Sequence, residues 1–170
     1  MIAMTPAELL IDCFGRIAEG VPAVVDGLTE DRLALRVDGE ANSIAWLVWH
    51  LTRVQDDHVA DAFGTEQVWL ADGWQERFGL PLDPTDTGYG HGPDQVAAVR
   101  ADETRLAGYH AAVFARTGEL LADVTPEQLD EVIDDRWDPP VTRGVRLVSV
   151  FDDDAKHLGQ AEFVRGLLPG

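Results

Sequence analysis

Apolar side chains recur at helical rather than alternating spacing along most of the chain. The first such stretch covers residues 5–26. Thr5 suits an N-cap, Pro6 the first helical position, and Glu8 completes a capping-box pattern. Pro22 predicts a kink or an early end. Residues 27–41 are mixed and turn-rich. Asn42 or Ser43 then caps a second helix running to about residue 62. Its stripe is Ile44, Leu47, Val48, Leu51 and Val54, with Gly64 as the stop.

Residues 65–92 break this rhythm. Trp69, Trp74, Phe78 and Tyr89 stand among Gly73, Gly79, Pro81, Pro84, Gly88, Gly90 and Gly92. So long a connection is uncommon in a compact domain and is often functional. Its aromatic residues predict that it packs onto the body, with one helical turn near Trp74 to Phe78. A third helix is predicted over residues 93–121, with Gly108 as its weak point. Thr125, Pro126 and Glu127 start a short helix as Thr5 and Pro6 do. The run Trp137-Asp138-Pro139-Pro140 excludes helix, residues 141–143 suit a brief extended stretch, and a last helix covers 145–167. Four principal helices with one long crossover between the second and third predict an all-α four-helix bundle, with residues 1–170 as a single domain.

Charge narrows the function classes. Thirteen basic against 31 acidic side chains give a formal net charge of −18. A field this negative repels phosphate, and the arginines are scattered singly, so no nucleic-acid surface is expected. Cys13 has no partner in the chain, which excludes a disulfide framework. Its place among Leu9, Leu10, Phe14 and Ile17 predicts a buried, inert thiol. No apolar run approaches the roughly 20 residues that span a bilayer, and no secretory leader pattern opens the chain. These features predict a soluble, cytoplasmic protein without a membrane partner.

The strongest chemical constellation joins His50, in the second helix, to Asp153 and His157 in the last. Four residues along a helix turn through about 40° and rise roughly 6 Å, so Asp153 and His157 share a face. A carboxylate and an imidazole so placed can hold one metal ion if a third ligand comes from elsewhere. His50, flanked by Leu47 and Leu51, is turned toward the bundle interior, where facing helices build metal sites. The competing reading is ordinary: a hydrogen-bonded core histidine and an i, i+4 charge pair, with Asp152, Asp153 and Asp154 placing an acid on any face.

The run Asn42-Ser43-Ile44-Ala45-Trp46-Leu47-Val48-Trp49-His50-Leu51 resembles the second helix of the DinB-like (YfiT-like) metalloenzyme superfamily. The run Asp153-Asp154-Ala155-Lys156-His157-Leu158-Gly159-Gln160 and the ending Phe163 to Leu168 resemble its last helix. Val68-Trp69, Gly73-Trp74, Arg77-Phe78-Gly79 and Thr87-Gly88-Tyr89 are similar to the branch of mycothiol-dependent transferases and maleylpyruvate isomerases. The resemblance implies a four-helix bundle and a divalent metal ion on His50, Asp153 and His157. Many members have histidine where Asp153 stands. A carboxylate there, as in the thiol-dependent isomerases, keeps nickel, iron and manganese beside zinc, the first choice. Three protein ligands leave an open position, where a low-molecular-weight thiol such as mycothiol would be held as thiolate to attack a small-molecule electrophile. The resemblance makes a homodimer plausible, and the sequence names no interface for one. Two other readings use the same residues: a non-catalytic metal- or small-molecule-binding stress protein, and a helical interaction module with structural histidines.

Weaker candidates surround these. Asp57, seven residues after His50, suits a supporting base or a solvated acidic face, and His58 stands about 80° round from His50. His91 and His110 have no partner at ligand spacing and read as surface residues. The five tryptophans read as packing, though Trp46, one turn before His50, could wall a pocket. Arg53, Arg146 and Arg165 could meet an anion, with pairing to the abundant acids preferred.

Overall fold

A computed structural model describes residues 4–168. Four long helices form the body: α1 (Pro6–Val25), α3 (Ile44–Phe63), α7 (Glu103–Leu121) and α9 (Arg143–Leu167). Shorter pieces lie between them: α2 (Glu30–Leu33), α4 (Val68–Ala71), α5 (Trp74–Phe78), α6 (Pro93–Ala98) and α8 (Pro126–Asp130). Strands β1 (Val132–Asp134) and β2 (Val141–Thr142) make one small antiparallel ladder. The expected all-α four-helix bundle is present.

The helix directions explain the long crossover. Phe14 packs edge-on against Phe151, and Arg165 donates to the carbonyls of Val24 and Asp26, so α1 and α9 run the same way. Arg143 at the start of α9 reaches the carbonyl of Ala62 at the end of α3, while His157 meets His50 further along, so these two are antiparallel. Gly15 faces Phe114, and the Gly27 N–H meets Glu103, which makes α7 antiparallel to α1. Consecutive principal helices α3 and α7 are therefore parallel. A 20-residue helix is about 30 Å long, so the chain must travel that distance back before α7 begins. Residues 64–102 make that return.

Several local signals hold. Thr5 and Glu8 form the capping box of α1, Ser43 caps α3 through the Trp46 N–H, and Gly64 closes α3 in the left-handed conformation. Thr125 and Gln128 cap α8. Pro22, however, neither kinks nor ends α1 early: it lies in the last turn, where one lost N–H bond leaves the helix continuing to Val25. The predicted third helix is two. α6 ends at Ala98, the chain extends at Val99, and Asp102 caps α7 through the Arg105 N–H. Gly108 is not the break. It sits inside α7, where a Cβ would come 2.9 Å from the Trp74 ring, so its missing side chain admits that indole.

The second helix departs furthest from its predicted stripe. Every residue from Ile44 to Asp56 is buried. One side of α3 faces the bundle, and the returning crossover, through Trp69, Phe78 and Val96, covers the other. A helix wrapped all round is buried all round.

Candidate metal centre

His50 is fixed from behind. Its Nδ1–H donates to the Thr87 carbonyl at 2.5 Å, because a carbonyl can only accept. The other nitrogen, Nε2, then carries the lone pair and faces α9, 4.0 Å from Asp153 Oδ2. The loop can approach this closely only because residue 88 is glycine. Its φ is +93°, and a Cβ there would lie 2.7 Å from His50 Nδ1. Such a carbonyl behind an imidazole is the support that metal-ligating histidines usually have.

From α9, Asp153 and His157 meet this imidazole. His157 Nε2 lies 3.6 Å from Asp153 Oδ1, and its Nδ1 lies 3.0 Å from Gln160 Oε1. The two imidazoles stand edge to face with centroids 4.7 Å apart. One donor atom from each of His50, Asp153 and His157 lies within 4.8 Å of the others. Asp153 Oδ2 is buried and has no hydrogen-bond partner among the described residues. Two lone-pair nitrogens and an unanswered carboxylate oxygen fit a divalent cation, which would take all three.

The electrostatics favour the ligand form at two of the three donors, His50 and Asp153, and the protonated form at His157. Burial pushes His50 below the ordinary imidazole pKa, toward the neutral form a ligand needs. Burial works against ionisation of Asp153, but the neighbouring imidazoles outweigh it and hold the carboxyl below its usual range. His157 is raised, mainly by Asp153.

Trp46 does wall the site, stacking on His50 with centroids 4.5 Å apart. Its Nε1–H donates to His91 Nδ1 at 3.0 Å, so His91 must carry its proton on Nε2, which donates to Asp86 Oδ2 at 2.9 Å. His91 is thus no surface residue. Its imidazole is 2 % exposed and pins the crossover to the wall of the site. His110 is buried as well, with its pKa lowered to about 4 by burial. Asp57 accepts from Gln67 and supports the crossover, and His58 accepts from Arg146. Cys13 is half-buried where a buried thiol was expected.

Next to this site, further along α3, lies a polar knot. Arg53, fully buried, donates to the Tyr109 hydroxyl, to Gln67 Oε1 and to the Asp86 carbonyl. Asp56 accepts from the backbone N–H groups of Val68 and Trp69 and from the Tyr109 hydroxyl at 2.7 to 2.8 Å. Arg53 therefore holds the carbonyl next to Thr87, the residue that orients His50. Arg165 meets carbonyls where acids were the expectation, and Arg146 meets Asp134 and His58.

Comparison with known families decides the affiliation, since the mycothiol S-transferase family model matches residues 10–170. The chain belongs to this family. A crystal structure of a conserved protein from Enterococcus faecalis is 34 % identical with a TM-score of 0.90, covering 97 % of this chain and 98 % of its own. That agreement carries the DinB-like fold across nearly all of both chains. No curated protein matches. Among the described residues no helix is long and apolar enough to cross a membrane. The opening residues on which the leader reading rests lie partly outside those described. His50, Asp153 and His157, singled out in the sequence, do converge, and Arg53 pairs with Asp56, the outcome preferred for it, whereas the parts played by His91 and Asp86 were not legible. The Gly-rich crossover with its histidine was the one signal that could have drawn attention to them.

Proposed function

We propose that this chain is a divalent-metal-dependent S-transferase that uses a low-molecular-weight thiol such as mycothiol, with His50, Asp153 and His157 as the metal ligands. The observation that carries the reading is the convergence of these three side chains around a buried Asp153 oxygen that has no hydrogen-bond partner among the described residues. The family match supports the thiol and the transfer. A bound divalent ion would supply Lewis acidity that keeps a coordinated thiol ionised near neutral pH. The protein's own part is preorganisation. The Thr87 carbonyl fixes the ring of His50, Trp46 excludes water from one side, and Asp153 offsets cationic charge at the site. A cleft of about 600 Å³ opens directly on His50 and Asp153 and is large enough for a small electrophile. In the transfer the thiol proton goes to water, a sulfur–carbon bond forms and the bond to the leaving group breaks.

The test is elemental analysis of wild-type protein beside His50→Ala and His157→Ala, with zinc, nickel, iron and manganese measured. It is followed by assay with mycothiol and 1-chloro-2,4-dinitrobenzene, where chloride is the leaving group. Near-stoichiometric metal lost in both variants, with helical circular dichroism retained and conjugation abolished, is the expected result. Metal retained without conjugation by any thiol would move the protein to a binding role. No metal uptake at all would leave three structural side chains and an interaction module.

A further inference from the structure

The far end of the cleft beside the metal-ligand cluster carries two arginines, Arg146 and Arg136, around the single carboxylate of Asp134, in a chain whose net charge is −18. Arg146 and Asp153 both line it. Seven residues apart on α9, they share a face and are separated by about 10 Å along the axis. Between them the walls are apolar, with Val150 from α9 and Val54 from α3. Tyr89 and Trp137 line the same cleft and present largely exposed flat faces to it.

Arg146 is held but not used up. Its Nη2 donates to Asp134 Oδ2 at 3.3 Å and its Nη1 to His58 Nδ1 at 3.2 Å, two of five N–H groups. His58 accepts through Nδ1 and is pushed toward its neutral form by burial, so it adds no charge. Asp134 is already taken by Arg136, which reaches both its oxygens at 2.8 Å. One carboxylate thus serves two guanidinium groups. The remaining acid near Arg146, Asp61, stands 3.7 Å away and is mostly in water, where such a pair is weak. A positioned guanidinium with N–H groups beyond those that bond His58 and Asp134, at the end of a largely apolar cleft, matches a carboxylate in charge and in planar geometry.

We propose that this cleft binds the electrophilic reactant and selects electrophiles that carry a carboxylate about two helical turns from the carbon that receives sulfur, with Arg146 holding that carboxylate. This rests on the S-transferase reading above. Arg146 takes no part in the bond changes; it sets which electrophile is presented to the thiol. An aromatic or otherwise flat body between the two ends is the shape the valines, Tyr89 and Trp137 accommodate.

The experiment compares two unreactive ligands that differ only in charge, 4-methylphenylacetate and 4-methylphenylacetamide. Each is titrated into protein as purified, without thiol, and followed by tryptophan fluorescence and calorimetry. The expected result is tighter binding of the acid by about tenfold, a preference that shrinks with added salt. Arg146→Met should erase the preference by weakening the acid alone, and Arg146→Lys should restore part of it. Equal binding of acid and amide to wild type overturns the proposal without any variant. Equal weakening of both ligands by Arg146→Met, with circular dichroism intact, also overturns it, because that is what a purely structural arginine would do. Failure of the S-transferase reading appears elsewhere, as absent metal or absent conjugate, and leaves the acid-to-amide ratio measurable.

Discussion

Two polar clusters flank the same helix, and they differ in whether their hydrogen bonds are answered. In the first, Arg53, Asp56, Tyr109 and Gln67 form a buried knot in which three nitrogens of Arg53 and both oxygens of Asp56 have a partner. In the second, His50 and His157 hold ring nitrogens 4.0 and 3.6 Å from the Asp153 oxygens, and one of those oxygens is buried with no hydrogen-bond partner among the described residues. The knot spends its polarity on holding the crossover against the bundle. On the metal reading proposed above, the cluster keeps its polarity for a cation. A satisfied network is a structural device, and a convergent unsatisfied one is a site.

The contrast can be broken experimentally, and the largest effect belongs to the knot. Arg53→Met leaves Asp56 buried beside Tyr109 without its cation, and should cost about 3–5 kcal/mol in urea denaturation. A cost below about 1 kcal/mol would show that the knot is not what secures the crossover. His110 comes next. Its folded-state pKa of about 4 lies below the ordinary 6.5, so the unfolded chain binds more protons between those values. Its contribution is therefore complete above pH 6.5 and lost as pH falls toward 4, about 3 kcal/mol in all. His110→Leu should flatten that part of the stability–pH curve, and an unchanged slope would assign acid sensitivity to other groups.

Gly88→Ala sits between the two regions. The added Cβ meets His50 Nδ1 at a positive φ, so the loop must retreat from the imidazole. The expected cost is about 1–2 kcal/mol in stability together with a 10- to 100-fold loss of metal affinity. Unchanged affinity would mean that the Thr87 carbonyl does not orient the ligand. The smallest stability effect sharpens the comparison most. His157→Ala should change the unfolding free energy of metal-free protein by no more than about 0.5 kcal/mol while abolishing metal uptake. A large loss of stability would place His157 with Arg53 among structural residues.

What the chain disclosed in advance follows from the range of the interactions involved. Thr5, Ser43 and Gly64 act on neighbours within a turn, so their caps were readable. The Asp153–His157 pair is likewise local, and His50 could be joined to it because each lies in a recognisable helical stretch. The break between α6 and α7 was hidden because Val99 and Ala101 are buried and keep an apolar rhythm through a segment that is not helical. The burial of His91 was hidden for a stronger reason. Trp46 lies 45 residues away and meets it only after the crossover has wrapped α3, although Asp86, five residues off, is local. Arg53 and Tyr109 are 56 residues apart, and no periodicity links them.

The metal-ligand candidates stand on α3 and α9, whereas Thr87, Tyr89 and Trp137 come from the crossover and the connection before α9. Helical rods resist change and connecting segments tolerate it. The division makes the molecule a chassis with exchangeable fittings. Lengthening or recomposing the connection around Trp137 would alter what the cleft admits while the three donor atoms keep their spacing. A family built this way can vary what its cleft accepts while the three donor atoms stay where they are.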